Sequence, residues 1–210
     1  METLVDNGKA KVLALVAEGI SKGMDYTEYR DMVHGLAKNR ATTGPEQLES
    51  LINYTELNDR RMSRWDKTLK ISEELETKIS ELDKDIELLV LTESWCGDAS
   101  PSLPVVNKLA QLNHKIDLKI VLRDENPELM DEFLTNGSRS IPKLIVLDKN
   151  KNEIIGEWGP RPSLATQMVE DYKKEHGHLT SEFKQDLQVW YNKDKGQNIQ
   201  EDLLKLLTLK

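Results

Sequence analysis

Apolar residues recur at helical spacing between residues 9 and 85. Val12, Leu15, Val16 and Ile20 make one stripe, and Tyr26, Tyr29, Val33 and Leu36 a second. Leu48, Leu51 and Ile52, then Met62, Trp65 and Leu69, then Leu75, Ile79 and Leu82 continue the period. Ala41-Thr42-Thr43-Gly44-Pro45 interrupts it and predicts a helix start at Pro45, where a missing N–H is tolerated.

From Ile86 the pattern alternates between short apolar runs and helical stretches. Ile86 to Leu91, bounded by charge and too short for a helix, predicts a buried strand. Val105, Leu109 and Leu112 follow at helical spacing, with Ala99-Ser100-Pro101 as first-turn residues and Asp98 available to cap them. Ile116 to Leu122 predicts a second strand, parallel to the first through a right-handed crossover. Asn126-Pro127 opens a helix carrying Leu129, Phe133 and Leu134, which Asn136-Gly137 ends. Leu144 to Leu147 and Glu153 to Trp158 flank a hairpin turn at Asp148 to Asn152, and Ser163 to Glu175 supplies a closing helix. Phe183, Leu187, Trp190 and Tyr191 mark one further helix and Ile199, Leu203, Leu206 and Leu207 another, joined by Lys193 to Gln197. The order predicts an α/β chain with a central mixed sheet and helices on both faces. Residues 1–84 form a helical N-terminal extension, 85–176 the α/β domain, and 177–210 helices that pack back on it.

Composition narrows the function classes. A chain of 210 residues with 38% hydrophobic and 31% charged residues suits a soluble globular protein. The net charge of −8 provides no positive field for phosphate backbones, so nucleic acid is not an expected partner. Arg60, Arg61, Arg64 and Lys67 cluster beside Trp65, but acidic residues from Glu73 to Asp85 follow, which reads as a solvated helix face. The first residues lack a basic region and a long apolar run, and Val12 to Ala17 is too short for a membrane span. Cytoplasmic residence and no membrane partner are the expectation. A single cysteine excludes an internal disulfide.

That cysteine carries the chemistry. In Ser94-Trp95-Cys96-Gly97-Asp98-Ala99 it follows a predicted strand and precedes a predicted helix, whose first N–H groups favour an anion and draw a thiol toward thiolate. Asp98 works against this. A carboxylate about 6 Å away opposes thiolate by roughly 0.7 kcal/mol in water and about 3 kcal/mol at an effective dielectric near 20. A helix N-terminus favours it by about 0.3 to 2 kcal/mol, so the net sign does not follow from sequence.

Over residues 85 to 175 the chain resembles the thioredoxin-like family. Trp95-Cys96-Gly97-Asp98-Ala99 with Pro104 is similar to its Trp-Cys-Gly-x-Cys site and helix proline. Ser140-Ile141-Pro142-Lys143 matches its cis proline leading into a strand, and Gly159 its glycine after the last hairpin. Bacterial members with a Trp-Cys-Gly-Asp site and extra preceding helices are the most similar. The resemblance implies a thioredoxin-like fold with N-terminal and C-terminal helical extensions. It also implies Cys96 as the catalytic thiol, with Trp95, Gly97, Asp98, Ile141 and Pro142 binding substrate: Trp95 covers the groove, Gly97 permits close approach, and the Ile141 backbone pairs with an extended substrate. The family's second cysteine is replaced by Ala99, and the buried acid six residues before the nucleophile by Val90.

A lone thiol can form a mixed disulfide but needs an external thiol to release it. Monothiol thiol–disulfide exchange is the first expectation, with protein disulfides or mixed disulfides as substrates and a low-molecular-weight thiol as resolving partner. The alternative is a non-catalytic binding module for a protein partner. No cofactor is expected, since glycine-rich phosphate loops are absent. No metal is expected either: His176 and His178 have no third ligand near in sequence, and Asp124-Glu125 reads as a solvated loop.

Overall fold

A computed structural model describes residues 2–208. Four helices come first: α1 (Glu2–Lys22), α2 (Tyr26–Lys38), α3 (Glu49–Thr68) and α4 (Glu73–Ser80). The α/β part follows as β1 (Ile86–Thr92), α5 (Ala99–Ala110), β2 (Ile116–Leu122), α6 (Pro127–Asp131), β3 (Lys143–Asp148), β4 (Glu153–Trp158) and α7 (Ser163–His176). Helices α8 (Ser181–Asp194) and α9 (Gln197–Thr208) complete it. No helix among the described residues is long and apolar enough to cross a membrane.

The strands form one mixed sheet in the order β2-β1-β3-β4. The β1–β2 pair is parallel, with Val90 opposite Ile120, while β1–β3 and β3–β4 are antiparallel, with Val90 also opposite Leu144. All seven residues of the central β1 are buried, as expected of a strand flanked on both sides and covered by helices. Each neighbouring helix has a local cause. Asp25 and Glu28 close a capping box on α2, and Ser72 and Thr180 cap α4 and α8. Helices α1 and α6 meet over Leu89, where a Cβ added at Gly19 would lie 3.0 Å from Leu89 and 3.1 Å from Leu129. On the C-terminal side α9 packs on β4, α4, α5 and α7.

Three predicted boundaries move. The third helix starts at Glu49 and not at Pro45, because Gln47 and Ser94 take the backbone groups of Thr42 to Gly44 and hold them as a loop. Leu48 consequently lies outside the stripe and is exposed. Helix α6 is a short turn ending at Asp131, so Phe133 and Leu134 fall beyond it. Asn136 and Gly137, both at positive φ, make a tight turn that pairs Thr135 with Ser138 and do not cap a helix. The link between α8 and α9 is Lys195-Gly196 alone, two left-handed residues of which Gly196 is buried against Trp65, Leu69 and Val105 and Lys195 is exposed.

Candidate functional site

Residues 93–98 connect β1 to α5, and the N-terminal helices fix their path. The Asn58 side-chain amide, one face of α3, donates to the Ser94 carbonyl at 3.0 Å. The Ser94 hydroxyl lies 2.8 Å from Thr55 Oγ1, 3.1 Å from Thr43 Oγ1 and 3.2 Å from Thr42 Oγ1, and it accepts the Thr43 N–H at 3.0 Å. This buried hydroxyl cluster pins the residue two places before the cysteine. The Cys96 N–H then donates to the Glu93 carbonyl at 3.1 Å, turning the chain toward α5.

Cys96 Sγ faces Ile141, and its S–H donates to the Ile141 carbonyl at 3.3 Å. The Ile141–Pro142 bond is cis, as the resemblance implies. Gly159 holds this corner: at φ 113 it backs onto Pro142, whose carbonyl oxygen would be 2.1 Å from any added Cβ. Cys96 and Ile141 therefore meet across the sheet end, with Pro142 behind them.

The net shift of the thiol, whose sign the sequence leaves open, is upward. Burial, with Cys96 only 6% exposed, is the main cause that pushes the thiol up to about 12, and the Asp98 carboxylate adds to it. The backbone N–H groups of Ala99 and Asp98 and the Arg161 guanidinium favour thiolate without offsetting that loss of solvent.

Asp98 does not cap α5, since its side chain makes no cap hydrogen bond. Instead it pairs with Arg161 at 2.6 Å and accepts from the Tyr191 hydroxyl at 3.2 Å. Burial pushes its carboxyl up, against Arg161, Tyr191 and Arg61, which favour the charged form. Gly97 lies beside it, with its carbonyl accepting from Gln188 Nε2 at 3.3 Å. A Cβ at Gly97 would meet Gln188 and Arg61 only at 3.9 and 4.0 Å, so the fold itself does not require glycine there. Trp95 lies under Arg123, whose guanidinium is 4.9 Å from the ring centroid. The groups that cover Gly97 and Asp98 are Gln188, Tyr191, Arg161 and Arg61.

Those covering residues escape a reading of the motif. Arg61 belongs to the basic cluster assigned to solvent, yet it is half-buried and directed at Gly97. Arg161 stands between two prolines directly after Gly159, which is the one local signal that marks it. Tyr191 belongs to the apolar stripe on α8 and Gln188 lies outside it, and neither gives a chemical signal in sequence. Glu93 is a further buried acid near the end of β1. Its Oε1 accepts the Asp124 N–H at 2.9 Å while Oε2 is buried without a partner, and burial pushes its carboxyl up. Val90, at the position of the family's acid, is enclosed in the sheet. His176 rests against the Tyr172 ring and His178 is exposed. Among the described residues no group of three or more His, Cys, Asp or Glu is placed to hold a metal.

Chemically, the arrangement offers one sulfur, an acceptor carbonyl beside it, two backbone donors at the helix start and a carboxylate paired with arginine. A thiolate there can attack a disulfide sulfur, breaking that bond, forming a Cys96 mixed disulfide and releasing the other half as thiolate.

Comparisons agree with this architecture. The family model described as Thioredoxin matches residues 44–173, more than half of the chain. Among solved structures, a protein of unknown function from Pseudomonas aeruginosa superimposes with a TM-score of 0.66 at 18% identity, over 91% of this chain and 95% of that one. An HIV epitope-scaffold superimposes with a TM-score of 0.61 at 20% identity, over 91% of this chain and 96% of that one. Both likenesses extend beyond the sheet into the added helices. No curated protein matches the sequence.

Proposed function

The chain belongs to the thioredoxin family, and from that premise we propose that Cys96 carries out thiol–disulfide exchange as a single thiol. The observation that supports this most is the meeting of Cys96 Sγ with the Ile141 carbonyl at 3.3 Å, at the start of α5. A mixed-disulfide substrate lies along the Ile141 backbone, and the Cys96 thiolate attacks its nearer sulfur. The leaving half departs as a thiolate and takes a proton from solvent. With Ala99 in place of a second cysteine, a low-molecular-weight thiol then attacks the Cys96 mixed disulfide and restores the free thiol.

The closed site sets the pace of this reaction. A thiol pushed up to about 12 is almost wholly protonated at pH 7. Exchange is therefore slow unless substrate docking exposes the sulfur. The same burial favours a second function, a thioredoxin-fold binding module in which the groove and helices recognise a protein partner and Cys96 is inert. Reduction of a glutathionylated peptide in the presence of glutathione separates the two. Exchange predicts turnover that Cys96→Ser abolishes; equal turnover in both proteins, or none in either, removes it in favour of binding.

A further inference from the structure

We infer that Arg61 and Gln188 form a docking place for a carboxylate on the small thiol or disulfide that meets Cys96, so that the exchange partner is an anionic compound. The inference rests on the exchange proposed above and names its substrate class. Both donors converge on Gly97, the residue after the nucleophile: a Cβ placed there would be 3.9 Å from Gln188 Nε2 and 4.0 Å from Arg61 Nη1. A cation and an amide thus meet beside the residue that follows the sulfur.

Arg61 is the group whose needs are unmet. Its guanidinium donates to Asn58 Oδ1 at 3.3 Å, and it forms no ion pair among the described residues. Tyr54 and then Asp98 favour its charge, but the Asp98 carboxylate is already taken by Arg161 at 2.6 Å and by Tyr191 at 3.2 Å. Burial disfavours the charged guanidinium, and Arg60 adds a like charge beside it. A half-buried guanidinium with open N–H groups gains most from a bidentate carboxylate, whose two oxygens match its fork. Its position is firm, because Asn58, one turn earlier on α3, is bonded to the Ser94 carbonyl two residues before Cys96. In a chain of net charge −8 the attraction is local, so it selects ligands at the site without gathering anions over the whole surface.

Three matched dialkyl disulfides test this on the full chain: dithiodipropionate, hydroxyethyl disulfide and cystamine, which are anionic, neutral and cationic. In each case Cys96 thiolate attacks one sulfur, the disulfide breaks, one half stays on Cys96 and the other leaves as a thiolate that water protonates. Adduct formation is followed by intact mass. Dithiodipropionate should react about tenfold faster than hydroxyethyl disulfide, with cystamine slowest. Arg61→Gln should bring the ratio of the dithiodipropionate rate to the hydroxyethyl disulfide rate to about one, and Arg61→Lys should keep part of the preference. A purely structural role for Arg61 would move all three rates together. Equal preference in wild type and both variants, or no preference in wild type, overturns the inference and leaves exchange standing. Failure of Cys96 to react with any of the three overturns exchange itself, and the inference with it.

Discussion

At the scale of single residues, Cys96 is governed by water it has lost more than by charges it has gained. The helix-start N–H groups favour thiolate, as the sequence indicates, but burial and Asp98 prevail. The position of the thiol and the opposition of Asp98 were legible in six consecutive residues. The extent of burial was not, because Arg161 and Tyr191 arrive from α7's approach and from α8, far along the chain. A consequence follows for stability. The folded thiol titrates near 12 and an unfolded one near 8.5, so the folded protein retains a proton that the unfolded chain releases. This contribution is complete below about pH 8.5 and is lost as pH rises toward about 12, by roughly 1.4 kcal/mol per unit at most. The difference in urea-unfolding free energy between wild type and Cys96→Ala should therefore shift by about 2 kcal/mol against wild type between about pH 8 and about pH 10. A constant difference would mean that the thiol titrates as if exposed.

At the scale of elements, the helices before β1 do more than add bulk. Through Thr55 of α3 and through Thr42 and Thr43 of the α2–α3 loop they hold Ser94, and through Asn58 and Arg61 they reach the site. Ser94→Ala leaves the Thr43 N–H and three buried hydroxyls short of a partner. Chemical denaturation should show a loss of about 1–3 kcal/mol, and a loss below about 0.5 kcal/mol would mean that water replaces the hydroxyl. The apolar stripes of α1, α2 and α3 and all four strands were readable from periodicity, since each buries one face or both. Boundaries set by side chains that compete for backbone groups were not readable in advance. Gln47 delays α3, and the turn at Asn136-Gly137 belongs to a small bridge. Arg61 illustrates the same limit. Charge clusters on helices are solvated by default, and only the neighbouring chain shows which member turns inward.

At the scale of the whole molecule, the described residues share one buried cluster that runs from Val16 to Leu207. We propose that residues 1–84 and 177–210 are extensions that cover the thioredoxin unit without forming detachable caps. Burying Ile199, Leu203 and Leu207 contributes about 1.5–3 kcal/mol for each side chain. Their sum is on the scale of a whole domain's stability, about 5–15 kcal/mol. A chain ending at residue 178 should lose its cooperative thermal transition. A sharp transition retained in that fragment would mean that α8 and α9 are dispensable to the core. The thioredoxin-like order of strands and helices was legible from pattern and motif together. The closing of the site by α8 was not, because Gln188 and Tyr191 meet Gly97 and Asp98 only once the tail has folded back.

We propose that the Cys96 thiol, just before α5, exchanges with disulfides in the folded protein. Intact mass of native protein held with hydroxyethyl disulfide, followed by addition of glutathione, tests it most directly. Exchange predicts a single adduct at Cys96 that glutathione removes, and no adduct in Cys96→Ser. An adduct that forms only after denaturation would contradict the claim and leave a thioredoxin-fold binding protein with an inert, buried thiol.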